Sequence, residues 1–305
     1  MKILVLGPGK MGEAMSRLLL KAGHELHVLM NRNPEPVQRL VSDGAVMVTD
    51  LLQTASEADI VFSMLPNLPE IDSLLFDRGV MNVMREGTLF LNMSTVSPTG
   101  IQQLSERLAG KGIHTIDAPV SGGPVKATDG TLAIMAGGDK EIYDTYLPLL
   151  QIMGEHIFHT GPVGTGQVAK LCNNLLAAII MTANAEILSM GVKAGADAKQ
   201  IREILLQSTS SNRLLADWIP KTILEDTYEP GFALKLMYKD IDLALQLSKS
   251  VDTPLFLGGI TQQLFRMLIG QNPENANSDY SVIGTFYQDA SNIRIADGKP
   301  LRNEE

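Results

Sequence analysis

Three glycines, Gly7, Gly9 and Gly12, separate an apolar run from a helical pattern in ILVLGPGKMGEAMSRLLLKAG, residues 3–23. Residues 3–6 form a short, wholly apolar stretch of the kind buried on both faces of a parallel sheet, and Met11, Met15, Leu18, Leu19 and Ala22 recur at helical spacing after it. The glycines fit G-x-G-x-x-G. In a strand–turn–helix each has its own duty: Gly7 makes the tight turn, Gly9 lets backbone approach an anion, and Gly12 lets helix and strand pack closely. The free N–H groups at the helix start then face that anion. The bare pattern occurs in many chains without such a site, so the flanking strand and helix carry the argument. Gly7, Pro8, Gly9, Lys10, Met11 and Gly12 are the expected contacts of a bound dinucleotide. Pro8 lacks only an N–H that the turn need not use.

Further apolar runs at 25–30, 59–65, 88–93, 114–118, 131–136 and 156–159 alternate with helical patterns. This alternation predicts a mainly parallel, doubly wound sheet of the Rossmann type. From residue 167 the character changes: QVAKLCNNLLAAIIMTANAEILSMGVKAGA reads as one long helix, apolar on more than one face. Such a helix needs cover on several sides. The expected fold class is therefore α/β: an N-terminal Rossmann doubly wound sheet plus an all-helical C-terminal domain built around one long helix. Glycine-rich GPVGTG places the boundary, giving a dinucleotide-binding domain at 1–163, a helical substrate and oligomerisation domain at 164–292 and a polar tail at 293–305. A partner subunit is expected to supply part of the cover, as a homodimer or homotetramer.

The chain has 305 residues, with 34 acidic and 25 basic side chains for a formal charge of −9, and no long basic run. Nucleic acid is not an expected partner. The single cysteine, Cys172, excludes an intramolecular disulfide and points to a reducing compartment, the cytoplasm. Its apolar neighbours suggest a buried structural thiol. MKILVLG is too short for a secretory apolar region. The uncharged run 171–185 carries Asn173, Asn174, Thr182 and Asn184 and is too short to span a bilayer, so a soluble protein with no membrane partner is expected. No metal site is read from the sequence.

Several short stretches could carry chemistry. The second expected strand ends in Met30-Asn31-Arg32, about where a residue meets the adenosine ribose of a dinucleotide. A carboxylate there suits NAD and repels a 2′-phosphate; Asn31 and Arg32 instead favour NADP, with NAD possible, because a guanidinium pairs with phosphate, the alternative being a solvated Arg32 in a Pro-containing turn. In DAPVSGG, residues 117–123, Ser121, Gly122 and Gly123 place a hydroxyl and successive backbone N–H groups as an anion nest or as a plain turn. Lys170 and Asn174 lie one turn apart on one helical face. Lys170 reads either as a snorkelling lysine or as one whose pKa falls in a dry cleft, where it exchanges protons near neutral pH. In residues 232–249, Lys239 falls on the stripe Phe232, Leu236, Leu243, Leu247, where a charge needs an ion pair, a snorkel or a ligand anion.

Together these segments resemble the β-hydroxyacid dehydrogenase family, the group of 3-hydroxyisobutyrate dehydrogenase-like and semialdehyde reductase-like enzymes. The resemblance spans nearly the whole chain and rests on four motifs in order: GPGKMG at 7–12, DAPVSGG at 117–123, GPVGTGQVAKLCNN at 161–174 and KDIDLA at 239–244. SMLPN at 63–67 and NMSTVSP at 92–98 look like the family's nicotinamide-side segments. The resemblance implies Lys170 as catalytic acid and base, Asn174 as a substrate ligand, and Ser121, Gly122 and Gly123 as a carboxylate cradle. It also implies Leu65, Pro66 and Thr95 along the nicotinamide, with Lys239, backed by Asp240, closing the site on substrate and cofactor. The implied activity is hydride transfer between NADP(H) and a small carboxylate-bearing alcohol or aldehyde. Pro8 departs from the leucine usual in that turn, and the segment after Asn292 matches nothing in the family. Pocket walls such as Trp218 and Phe232 carry no motif. Two other functions are consistent with a Rossmann half: a non-catalytic NADP-binding redox sensor or scaffold, and phosphogluconate-type decarboxylation. A proton donor has no use in the first, and the chain is short for the second.

Overall fold

The computed structural model describes residues 1–30 and 33–301. Asn31 and Arg32, expected beside the adenosine ribose, lie outside the described residues. The chain divides into two compact units, Met1–Leu171 and Cys172–Glu305.

The first unit alternates strands and helices in the order β1 (Lys2–Leu6), α1 (Lys10–Lys21), β2 (Glu25–Val28), α2 (Glu35–Ser42), β3 (Val46–Met47), α3 (Leu51–Glu57) and β4 (Ile60–Ser63). It continues with α4 (Leu68–Asp72), α5 (Val80–Val83), β5 (Leu89–Asn92), α6 (Pro98–Ala109), β6 (His114–Asp117), β7 (Val120–Ser121), α7 (Gly123–Asp129), β8 (Leu132–Gly137), α8 (Lys140–Met153) and β9 (Gly154–Gly161). The sheet runs β3-β2-β1-β4-β5-β6-β8-β7, with β9 on β8. Pairing is parallel from β3 to β6 and between β8 and β9; β8 is antiparallel to β6 and β7.

Period-two alternation divides the apolar strands between two cores. Ile3, Val5, Ile60, Phe62, Leu89 and Leu91 face one core with Met15 and Leu19 of α1. Leu4, Leu6, Val61 and Phe90 face the other with Ile101 and Leu104 of α6. Helices on both faces are what make these strands apolar throughout rather than alternating. Strand order reverses between β1 and β4, so the glycine turn after β1 and the Met64–Leu65 segment after β4 leave the sheet side by side at the switch point, where α/β sheets bind ligands.

The long helix α9 (Thr165–Lys193) starts in the first unit and runs on into the second, followed by α10 (Ala198–Leu206), α11 (Arg213–Asp217), α12 (Leu234–Ser250), α13 (Phe256–Gln271) and α14 (Ile283–Ser291). By length and composition α9 could cross a membrane. Its polar side chains show why it is the core of a helical unit instead. Asn174 bonds Asp240 of α12, Asn184 exchanges amide bonds with Asn212 at the start of α11, and Ser189 donates to the Tyr287 carbonyl of α14.

Three expectations need correction here. Cys172 is exposed. It shares an outward i, i+4 stripe with Val168 and Leu176, while Leu171 and Leu175 take the inward face. On α12 the buried residues are Leu234, Met237, Asp240, Ile241, Leu243, Ala244 and Ser248; of the expected stripe Leu243 is buried while Phe232, Leu236, Lys239 and Leu247 are half-buried, so Asp240 and not Lys239 is the buried charge. After α14 the chain is not uniformly polar: Ile293 and Ile295 are buried, and Ile295 N donates to Gln288 Oε1 at 2.8 Å.

Candidate active site

The glycine turn shows which glycines serve the protein and which leave room for something else. Gly7 has φ +92°, and a Cβ there would lie 2.4 Å from the Met64 carbonyl oxygen. A Cβ on Gly12 would lie 2.3 Å from the Gly7 oxygen. Both positions are closed to any side chain. Gly9 is different, because among the described residues a Cβ there would meet nothing within 4 Å. Gly9 is also the N-cap of α1, and among the described residues no side chain caps that helix start. Pro8 is buried, Gly9 and Lys10 are exposed, and Met11 is half-buried. An open cradle with uncapped helix-start N–H groups fits the pyrophosphate of a dinucleotide.

The nicotinamide-side segments are tied to the start of α9. Leu65 N donates to Ser94 Oγ at 2.8 Å. Gln167 Nε2 donates to the Ser94 backbone carbonyl oxygen at 3.1 Å, and Val96 N donates to Gln167 Oε1 at 2.9 Å. Thr95, half-buried, lies between these two bonds. Pro66 is exposed beyond Leu65. Asp117, at the end of β6, then fixes the helix: Gly164 N donates to Oδ1 at 2.7 Å and Gln167 N to Oδ2 at 3.0 Å. Close packing reinforces this, since a Cβ on Gly166 would sit 2.3 Å from the Met135 oxygen and one on Gly137 2.5 Å from Asp117 Oδ1. Lys170, only 8% exposed, follows Gln167 by three residues. Sequence reasoning missed the parts played by Asp117 and Gln167. The available signal was a polar residue closing an apolar strand and another opening an apolar helix, since buried polar groups must find partners.

Burial pushes the Asp117 carboxyl up to about 7, against the pull of the Gly164 and Gln167 N–H groups. Its folded pKa is then above its unfolded value, so its contribution to stability is complete below about pH 4 and is lost as pH rises through about 7. Chemical denaturation of the parent and Asp117→Asn side by side should show the parent's stability relative to the variant falling by about 2 kcal/mol between about pH 5 and about pH 7. A difference that stays flat or grows with pH would mean that the carboxyl is already ionised in the folded protein.

Ser121 ends β7, paired with Ala133 of β8, and Gly122 and Gly123 follow at φ +138° and +69°. Both glycines hold backbone that side chains resist. Among the described residues beyond its own helix and chain neighbours, nothing lies within 4 Å of where a Gly123 Cβ would be, so this turn is open on that side.

In the second unit Asp240 is 1% exposed and joins two of the expected substrate-side residues. Asn174 Nδ2 donates to its Oδ2 at 2.6 Å, and Lys239 Nζ pairs with its Oδ1 at 3.0 Å. A carboxylate only accepts, so it fixes which end of the Asn174 amide faces it. Asn174 Oδ1 accepts from Asn173 Nδ2 at 3.0 Å, so the amide oxygen and one of its two N–H groups are engaged within the protein. Asp279, fully buried, organises the loops around Trp218 and Phe232: it accepts from Trp218 Nε1, from the Gly231 and Phe232 backbone and from Ser281.

Comparison with known proteins identifies the family. Residues 2–161 match the family described as the NAD binding domain of 6-phosphogluconate dehydrogenase, and residues 164–284 match that of the NAD-binding of NADP-dependent 3-hydroxyisobutyrate dehydrogenase. A 3-hydroxyisobutyrate dehydrogenase of Pseudomonas aeruginosa is 38% identical over 293 residues, covering 94% of this chain and 98% of that one. The chain belongs to the β-hydroxyacid dehydrogenase family. An NAD-dependent L-serine dehydrogenase of the same organism is 37% identical over 94% of this chain and 97% of its own length. Among solved structures, the 3-hydroxyisobutyrate dehydrogenase of Mycobacterium tuberculosis with L-serine matches with a TM-score of 0.85 at 29% identity, covering 93% of this chain and 98% of that one. This β-hydroxyacid dehydrogenase thus has the nicotinamide-dinucleotide domain of its family, and the open Gly9 cradle fits that group.

Proposed function

We propose that this β-hydroxyacid dehydrogenase interconverts a small 3-hydroxy carboxylate and the matching semialdehyde, with NADP(H) preferred over NAD(H). The observation that carries the reading is Lys170: a buried lysine on the helix start that Gln167 and Asp117 fasten to the nicotinamide-side loops. The dinucleotide supplies the hydride chemistry. Lys170 Nζ accepts the hydroxyl proton in oxidation and returns it to the carbonyl oxygen in reduction. The remaining Asn174 amide N–H holds that same oxygen, and Ser121 with the Gly122 and Gly123 backbone holds the carboxylate. Lys239, braced by Asp240, adds positive charge on the substrate side. The relatives' names support the substrate class: 3-hydroxyisobutyrate and L-serine are both primary alcohols one carbon away from a carboxylate-bearing carbon. Asn31 and Arg32 support NADP, and NADPH usually serves reduction, so reduction of the semialdehyde is the proposed direction.

The decisive experiment is a panel of 3-hydroxy acids, their semialdehydes and the corresponding uncharged amides, assayed with NADPH and NADH side by side. Turnover of the acids with little on the amides supports the reading. Tight dinucleotide binding with no turnover of any member would revive the sensor or scaffold alternative.

Exposed apolar side chains of the second unit support a homodimer or homotetramer, and the single cysteine supports the cytoplasm. Leu176, Ile187 and Met190 of α9 and Phe256, Leu257 and Ile260 of α13 are exposed, Phe256 by 80%. Exposed apolar area of this extent on neighbouring helices marks an interaction surface. Sedimentation at micromolar concentration is expected to read a dimer or larger, and a clean monomer would remove the proposal.

A further inference from the structure

Gln167 is fully buried on the first turn of α9, and its carboxamide treats the backbone around Thr95 as a neighbouring strand would. One oxygen accepts from Val96 N at 2.9 Å and the nitrogen donates to the Ser94 backbone carbonyl oxygen at 3.1 Å, so Thr95 is bracketed. Ser94 in turn accepts from Leu65 N, which brings the loop after β4 into the same set. The Gln167 backbone N–H is held by Asp117 at 3.0 Å. The loops therefore cannot shift unless the helix start moves with them. Lys170 stands three residues farther along that helix, just under one turn.

An apolar side chain of similar volume would fill the space equally well. What the amide adds is register, because it fixes one backbone donor and one backbone acceptor at once. We propose that Gln167 is a positioning residue that holds Thr95 and the Leu65 loop at a set height against Lys170, so that the reacting carbon and the proton-carrying nitrogen stay aligned. The proposal rests on Lys170 being the acid–base group. Misplacement of reacting groups by about 1 Å lowers rates by about 10²-fold, which sets the scale of the effect.

Two variants test it. Gln167→Leu keeps the volume and removes both side-chain hydrogen bonds. Gln167→Glu keeps the shape and makes the bond to Ser94 pH-dependent: a protonated acid accepts from Val96 and donates to Ser94, whereas a carboxylate cannot donate. The leucine variant is expected to lose about 10- to 100-fold in kcat at every pH, with the KM for the hydroxy acid within about threefold of the parent. The glutamate variant should approach the parent's kcat at the acid end of the assay range and fall to the leucine variant's level as pH rises, while both remain folded by thermal melt. If the leucine variant does not fold, the pH step of the glutamate variant decides alone. Parental kcat in both variants overturns the proposal, as does a loss shared equally by KM and dinucleotide affinity with no pH step. Lys170→Ala in the same assay separates the two ideas. An inactive Lys170→Ala beside fully active Gln167 variants sinks the positioning role only, and a fully active Lys170→Ala sinks the acid–base assignment first.

Discussion

Lys170→Ala is expected to lower kcat by about 10²–10⁴-fold, the usual contribution of a positioned acid or base, while folding and dinucleotide binding stay near normal. The dinucleotide cradle explains the second half of that expectation: Gly7, Gly9 and Gly12 and the start of α1 are built from backbone and do not involve Lys170. The first half follows from burial. A lysine 8% exposed on the first turns of α9 is packed among protein rather than extended into solvent. Lys170→Arg should not rescue the rate, because a guanidinium remains protonated at working pH and cannot accept a proton in oxidation. The measurement is kcat with the best substrate of the panel from about pH 6 to about pH 10. If the alanine variant turns over within a few fold of the parent throughout, Lys170 is structural, and Lys239 is the next residue to test.

How far the fold was legible depended on the range of the signal. The strand, glycine turn and helix at 2–21 could be read because each piece announces itself locally, by an apolar run, by glycines in a forced turn and by a 3.6-residue period. The two-residue strands β3 and β7 could not, since Val46 and Met47 are exposed at the sheet edge and Val120–Ser121 is too short to show a period. The orientation of α9 was hidden for another reason. A helix apolar on more than one face has no unique inward side, and Cys172 was therefore placed inside when it faces out. On α12 the stripe through Lys239 competed with one through Asp240, and the structure buries the second because Asp240 finds Asn174 across 66 residues of sequence.

The candidate site follows the same rule. Its motif residues were legible as motifs, because glycine pairs, the Lys170–Asn174 spacing and KDIDLA are contiguous. The residues that hold them were not. Gln167 meets Ser94 across 73 positions and Asp117 across 50, and no local pattern encodes either contact. A buried polar residue could be flagged in advance as needing a partner, but its partner's identity is a property of the folded chain. Asp279 is the same case in the second unit, with Trp218 61 residues away.

Replacing Asn31 with Asp and Arg32 with Ala is expected to shift the balance of kcat/KM between NADPH and NADH toward NADH by roughly 2–4 kcal/mol, since charged hydrogen bonds contribute about 1.5–3 kcal/mol each. Arg32→Ala removes the partner proposed for the 2′-phosphate, and the new carboxylate repels that phosphate while accepting from a ribose hydroxyl. Two arginines of α1 and α2 are already engaged by carboxylates. Arg39 donates to both Glu13 oxygens at 2.8 Å, and Arg17 pairs with Glu13 and Asp43 at 3.1 Å. Arg39 and Arg17 together hold the Glu13 carboxyl below its usual range, so it is ionised at working pH and meets the Arg39 charge. Arg39→Ala should accordingly leave the NADPH to NADH ratio within a few fold of the parent, and it serves as the control. Should the double variant keep the parental ratio while Arg39→Ala changes it, the phosphate contact belongs to Arg39, released from Glu13 when the dinucleotide binds.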